Sequence, residues 1–174
     1  MIRHLTPGDY VSMPWANGRG TTIEMLRETG PDGALHLRLS MASVVEDGPF
    51  SNFPGIERTL TVISGPGFDL VGDTRITAAP LHPVAFPGDV PIAAAGVTAP
   101  CEDFNVMTAR SLPLAVVQVM TDGAINAQDG GRLAIFALDA GVVSDLPAGK
   151  HDLILTDEKA HLEGGPFIVV ALAF

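Results

Sequence analysis

A chain of 174 residues, 47% hydrophobic and 17% charged, has the size and composition of one globular domain or two small halves packed as one, and not of a disordered segment. Its net charge of −10 leaves no basic face for nucleic acid or an anionic membrane surface. The single cysteine, Cys101, excludes an internal disulfide and a cysteine-rich zinc site, and with no signal-peptide core near Met1 and no apolar run long enough to span a bilayer, the expected location is the cytoplasm.

Nineteen glycines and fourteen prolines punctuate the chain into short elements, so strands and turns are expected rather than long helices. Residues 22–28 read as helix or strand with equal weight, because two glycines and two threonines precede or open the segment. Residues 35–42 alternate: Leu35, Leu37, Leu39 and Met41 share one face, and His36, Arg38, Ser40 and Ala42 the other. Residues 59–64 and 68–71 flank Gly65-Pro66-Gly67 and predict a hairpin. Further strands are expected at 83–86, 103–109, 112–120, 132–138, 152–155 and 167–173, a spacing that suggests an all-β sandwich or barrel. Composition shifts after Arg110, which predicts an N-terminal half of residues 1–110 carrying the site and a plainer structural half of residues 111–174. Seven of the ten basic residues lie at or before Arg110, and all seven are arginine, the side chain suited to carboxylates.

Four clusters hold side chains capable of chemistry. The first, residues 13–24, contains Trp15, Asn17, Thr21, Thr22 and Glu24 around close glycines. It lacks the spacing of a P-loop or a dinucleotide fingerprint, and a turn anchored by a tryptophan explains it as well as a site does. The second is the Arg38/Ser40 face, which lines a pocket if it points inward and is ordinary solvated surface if it does not. A third, residues 46–59, sets Phe50, Ser51 and Phe53 in a Pro-rich loop before Arg58; such loops form site walls, or are simply pinned by their rings. The fourth joins Phe86-Pro87-Gly88-Asp89 to Asp103-Phe104-Asn105-Val106-Met107, where alternation puts Asp103, Asn105 and Met107 on one face and Gly88-Asp89 reads as a turn. The five histidines (4, 36, 82, 151 and 161) form no His-x-His pair and no helical ligand spacing, and no nucleophile elbow is present.

These clusters, in this order, resemble the HutD/Ves family of bacterial proteins. The matching segments are residues 13–24, 37–42, 46–62, 86–89 and 103–107, across the first two thirds of the chain. The family pattern reads Pro-Trp-Lys-Asn-Gly-Gly-Gly; here Ala16 stands in place of the lysine and Arg19 in place of a glycine. The resemblance implies a cupin-type double-stranded β-helix, as a bicupin of two small β-barrel halves, with no metal and no cofactor. It also implies a link to histidine utilisation, through binding of an intermediate such as formiminoglutamate or formylglutamate with a regulatory or flux-modulating role.

On this reading the partner is a small-molecule carboxylate, neither nucleic acid nor membrane, with a homodimer left open. Arg38 and Arg58 would clamp the carboxylates. Trp15, Phe50 and Phe53 would wall the pocket, and Asn17, Thr21, Glu24, Ser40, Ser51, Asp103 and Asn105 would complete it. Two alternatives stand beside it: an enzyme using Glu24, Glu46 or Asp103 as general acid or base on an amide, imine or sugar, and a regulatory module that binds another protein. No enzymatic activity is established for the family, which weighs toward binding.

Overall fold

The computed structural model describes residues 1–174. It contains nineteen strands, a single 3-10 turn at Pro7–Asp9 and no α-helix, and accordingly no helix long and apolar enough to cross a membrane. The chain divides into two compact units, Val11–Ser111 and the remainder.

Strand β1 (Ile2–Leu5) opens the chain. Ten strands follow in the unit Val11–Ser111: β2 (Val11–Pro14), β3 (Thr21–Thr29), β4 (Leu35–Val44), β5 (Gly48–Pro49), β6 (Ile56–Ser64), β7 (Phe68–Val71), β8 (Arg75–Ala78), β9 (Val84–Pro87), β10 (Ala93–Ala95) and β11 (Cys101–Ala109). They form a six-stranded sheet in the order β2-β3-β4-β11-β6-β9 and a four-stranded sheet β5-β10-β7-β8, every adjacent pair antiparallel. Apolar side chains from both sheets share one core: Val44, Leu60, Val62 and Phe86 from the larger, Phe68, Leu70 and Ala78 from the smaller.

The segment 22–28, ambiguous in sequence, is strand β3, paired with β4 along its length and with β2 over Thr21–Glu24. The neighbours supply partners for its backbone groups, which decides the matter. The hairpin expected at Gly65-Pro66-Gly67 does not form. Strands β6 and β7 belong to different sheets, and the Gly-Pro-Gly link carries the chain from one to the other. Gly65 and Gly67 have φ of +87° and +89°, and a Cβ on either would lie 2.4 Å from a backbone oxygen, of Pro100 and Ala78 respectively. The glycines there permit a packed crossover rather than a two-stranded turn.

The other unit is Met1–Tyr10 with Leu112–Phe174. It adds β12 (Val116–Met120), β13 (Gly123–Ile125), β14 (Arg132–Ala137), β15 (Gly141–Val143), β16 (Leu146–Ala148), β17 (Leu153–Thr156), β18 (Ala160–Gly164) and β19 (Phe167–Leu172). These form the sheets β1-β17-β14-β19-β12 and β13-β18-β15-β16. The first ten residues, grouped above with the N-terminal half, therefore belong to this unit. Residues Ile2 to Leu5 pair with Thr156 to Leu153, and the Tyr10 hydroxyl donates to the His151 carbonyl at 2.6 Å. Such pairing is a long-range backbone contact that composition does not encode. The core of this unit is filled by Leu133, Ile135, Val143, Ile154, Leu162, Phe167 and Val169, all essentially inaccessible to water.

Ile135, on the central strand β14, is fully buried, whereas Leu114 is 72% exposed. Urea unfolding is expected to show a loss of about 2–5 kcal/mol for Ile135→Ala and a change within about 0.5 kcal/mol for Leu114→Ala. Equal losses would contradict the placement of the core.

Candidate functional site

The six-stranded sheet places its polar residues by register. Across one row, Phe86 on β9 faces Arg58 on β6, Arg58 faces Met107 on β11, and Met107 faces Arg38 on β4. In the next row Leu60 faces Asn105, Asn105 faces Ser40, and Ser40 faces Glu24. A third row runs Val62, Asp103, Ala42 and Thr22. Alternation then sends all of these to one side of the sheet. Of these, Arg58, Met107 and Arg38, Asn105 and Ser40, and Asp103, Ala42 and Thr22 line a cavity of about 480 Å³, together with residues of the β2–β3 turn and of the loop after β5. The opposite face of β4, Leu37, Leu39 and Met41, is buried as well, so the alternation at 35–42 divides an apolar buried face from a polar cavity face, not core from solvent.

Ten of the twelve expected site residues meet at this cavity: Trp15 and Asn17 from the turn, Arg38 and Ser40 from β4, Arg58 from β6, Phe50, Ser51 and Phe53 from the loop, and Asp103 and Asn105 from β11. Thr21 and Glu24 are not among its lining residues. Thr21 is one position out of phase. Its neighbour Thr22 lines the cavity instead, and counting in steps of two back from Glu24 would have found it. Glu24 acts through Arg38, whose Nε donates to Glu24 Oε2 at 2.6 Å; Arg27 stands 3.8 Å from the same oxygen.

Arg58 is only 7% exposed. Its guanidinium carbon lies 5.4, 5.3 and 5.0 Å from the ring centroids of Phe50, Phe53 and Phe86, a cation held among aromatic rings. Its Nη2 donates to Asn105 Oδ1 at 3.0 Å, while its Nε is buried with no hydrogen-bond partner. Asn105 Nδ2 in turn donates to Asp103 Oδ1. Asp103 is 1% exposed. Burial pushes its carboxyl up to about 7, against the opposing pull of Arg58, the Asn105 amide and the Ala42 backbone N–H. Burial likewise lowers Arg58 to about 10, with Asp103 resisting and Arg38 adding to the fall. A buried cation and a buried carboxyl are thus joined through an amide rather than touching.

The Pro-rich loop is fixed from below. Phe53 N–H donates to the Gly88 carbonyl and Gly88 N–H to the Ile56 carbonyl, each at 2.7 Å. Asp89, expected to mark a turn, also accepts from both Nη groups of Arg110 at 2.9 and 2.8 Å and from the Gly55 N–H at 3.2 Å, contacts that hold its carboxyl below the ordinary range. At the other end the Phe50 N–H donates to the Ile92 carbonyl at 2.9 Å, so both ends of the loop are tied down and Phe53 is set over Arg58. At the rim, Trp15 Nε1 donates to Thr22 Oγ1 at 2.9 Å. The Trp15 ring covers Gly20 so closely that a Cβ there would lie 2.7 Å from it. Arg19, the residue in place of a family glycine, pairs with Glu46 on the facing loop, and Asp47 of that loop accepts the Val97 N–H at 2.8 Å.

Of the three carboxylates considered for acid–base work, only Asp103 lines the cavity; Glu24 is engaged by Arg38 and Glu46 by Arg19. Nowhere do three or more His, Cys, Asp or Glu side chains gather where they could hold a metal ion.

A carboxyl raised from 3.8 to about 7 by folding keeps its proton in the folded state after the unfolded chain has lost it. Its contribution to stability is fully present below about pH 4 and is lost as pH rises toward 7. Urea midpoints between pH 5 and 8 should fall for the native protein relative to Asp103→Asn, by up to a few kcal/mol in stability. Parallel pH profiles for the two proteins would show that Asp103 is not the group responsible.

The HutD family model matches residues 8–166. A Pseudomonas putida protein described as an uncharacterized 21.2 kDa protein in the hutC 3′ region is 39% identical over 113 residues, 62% of this chain and 58% of that protein, so the match spans less than two thirds of the relative's length. The structure of HutD from Pseudomonas fluorescens superposes with a TM-score of 0.86 at 30% identity, covering 99% of this chain and 98% of that one. A conserved protein of unknown function from Pseudomonas aeruginosa gives 0.83 at 26% identity over the whole of both chains. A bacterial pirin from Escherichia coli, 8% identical with a TM-score of 0.69 over the whole of both chains, shares the fold alone. The fold is thus the all-β, cupin-type one that the resemblance implied. With its motifs, its sheets and its match over residues 8–166 in agreement, the chain belongs to the HutD family, which is associated with histidine utilisation.

Proposed function

We propose that the Val11–Ser111 cavity binds a small carboxylated intermediate of histidine breakdown, formiminoglutamate or formylglutamate, and that the chain thereby regulates or modulates flux through histidine utilisation. The two units serve as the halves of a bicupin, one holding the ligand and one filled by side chains. The observation that carries this reading is Arg58: a cation taken out of water, lining the cavity, with a buried Nε that no group of the protein serves. A desolvated cation short of one partner is complementary to a carboxylate. Arg38 gives its Nε to Glu24 and keeps its terminal nitrogens for a second carboxylate, while Asn105, Ser40 and Ser51 offer hydrogen bonds to an amide or formyl end. The volume suits a ligand the size of a substituted glutamate.

Histidine, urocanate, formiminoglutamate, formylglutamate and glutamate should be compared by thermal shift. Selective stabilisation by the N-substituted glutamates is expected, about 2.7 kcal/mol at a hundredfold excess over Kd. In calorimetry Arg58→Ala should lose about 2–5 kcal/mol of binding. Unchanged affinity in that variant, or no binding of either N-substituted glutamate, would overturn the proposal.

One observation favours a catalytic reading beside it. Asp103 lines the cavity with its carboxyl near 7, where a general acid or base works well at neutral pH. Ammonia release from formiminoglutamate would support it; a flat progress curve at saturating ligand would leave binding alone.

A further inference from the structure

We propose that Asp103 takes up a proton when a carboxylate docks against Arg58, so that the cavity exchanges an internal counter-ion for an external one. The inference rests on the reading of the cavity as a carboxylate site. It is argued from how the charges are placed.

Two cations line the cavity, Arg38 and Arg58. Each is balanced by one carboxylate, but in different ways. Arg38 is in direct contact with Glu24, and Arg27 lies near the same carboxylate, so Glu24 has two guanidinium partners. Arg58 has no carboxylate in contact. It acts on Asp103 through space and is hydrogen-bonded to it only by way of the Asn105 amide, which accepts from one and donates to the other. The arrangement is neutral as long as Asp103 is ionised, and a dicarboxylate ligand adds one negative charge beside Arg38 and one beside Arg58, where Arg58 and Asp103 are themselves buried.

Like charges brought together where one of them is buried do not both stay ionised as readily as in water. Asp103 is the carboxylate free to give way. Its direct neighbours across the sheet, Ala42 on β4 and Val62 on β6, carry no charge; Arg58 on β6 is the cation that acts on it, and Arg38 on β4 and Glu24 on β3 lie further along the sheet, already paired with each other. Glu102, its neighbour on β11, is exposed and lies on the other side of the strand. The cavity-lining residues of the turn and the loop, Trp15, Asn17, Phe50, Ser51 and Phe53 among them, bring no charge, and Arg19 and Glu46 of the same segments pair with each other outside the lining. Burial already holds this carboxyl near the point of protonation, so a small added push suffices. The proton comes from the buffer and adds to a carboxylate oxygen of Asp103; no bond of the ligand is made or broken. Ligand carboxylates, which titrate near pH 4, stay ionised throughout.

Calorimetry with N-formylglutamate as probe tests this. At pH 7.5 the binding enthalpy should differ between phosphate and Tris buffers by their ionisation enthalpies multiplied by roughly half to one proton per ligand. Above about pH 7 the Kd should weaken by up to about tenfold per pH unit. Asp103→Asn should bind with a buffer-independent enthalpy and a flat pH profile. Binding to the native protein with neither signature overturns the coupling and leaves the carboxylate reading standing. Buffer-dependent heat that persists in Asp103→Asn also overturns the role of Asp103. Absence of binding by both proteins overturns the carboxylate reading and the coupling together. If the variant does not fold, the ¹³C carboxyl resonance of Asp103 in the native protein gives the same answer: its titration should move upward on adding the probe, and an unmoved titration overturns the proposal.

Discussion

A guanidinium cannot be taken out of water cheaply, and most of the Val11–Ser111 unit is arranged around the one at Arg58. Three phenyl rings replace its hydration shell, and an amide meets one of its nitrogens. Each contact depends on a separate piece of the chain. Phe86 comes with β9, paired directly to Arg58, and Asn105 comes with the central strand β11. Phe50 and Phe53 come with a loop that would wander unless Gly88 and Asp89 held it. The charge makes the surrounding geometry exacting, because a buried cation that loses one of these partners is left uncompensated.

The two units use similar sheets to opposite ends. Where the Met1–Tyr10 and Leu112–Phe174 unit fills its interior with Leu, Ile, Val and Phe, the Val11–Ser111 unit substitutes Arg, Asn, Asp and Ser along one end of the six-stranded sheet and keeps an apolar core at the other. An apolar interior packs on itself and closes. A polar one leaves donors and acceptors that need something to bind.

Much of this was legible in the residues. Period-two alternation on β4 and β11 put Arg38, Ser40, Asp103 and Asn105 on shared faces, and register did the rest. What sequence could not decide was which face of β4 looks inward, since the apolar face is buried too and periodicity distinguishes faces without saying what covers them. Parity along β3 puts Thr22, and not Thr21, on the cavity side. Gly65-Pro66-Gly67 read as a hairpin because turn chemistry is local, while the sheet each flanking strand joins is a long-range matter. Residues 1–10 were grouped by proximity in sequence although their partners lie some 150 residues on. Asp89 and Arg110 offered no periodic signal, for their pairing spans two segments with no common repeat.

Trp15 is the only tryptophan in the chain. Its ring rests on Gly20, its indole nitrogen is tied to Thr22, and it forms part of the cavity wall. The protein therefore carries one indole, and carries it in the wall of its own cavity. Any change in what fills that space alters the polarity and freedom of this single indole, and its emission, excited at the red edge where Tyr10 does not absorb, reports on the site without a label.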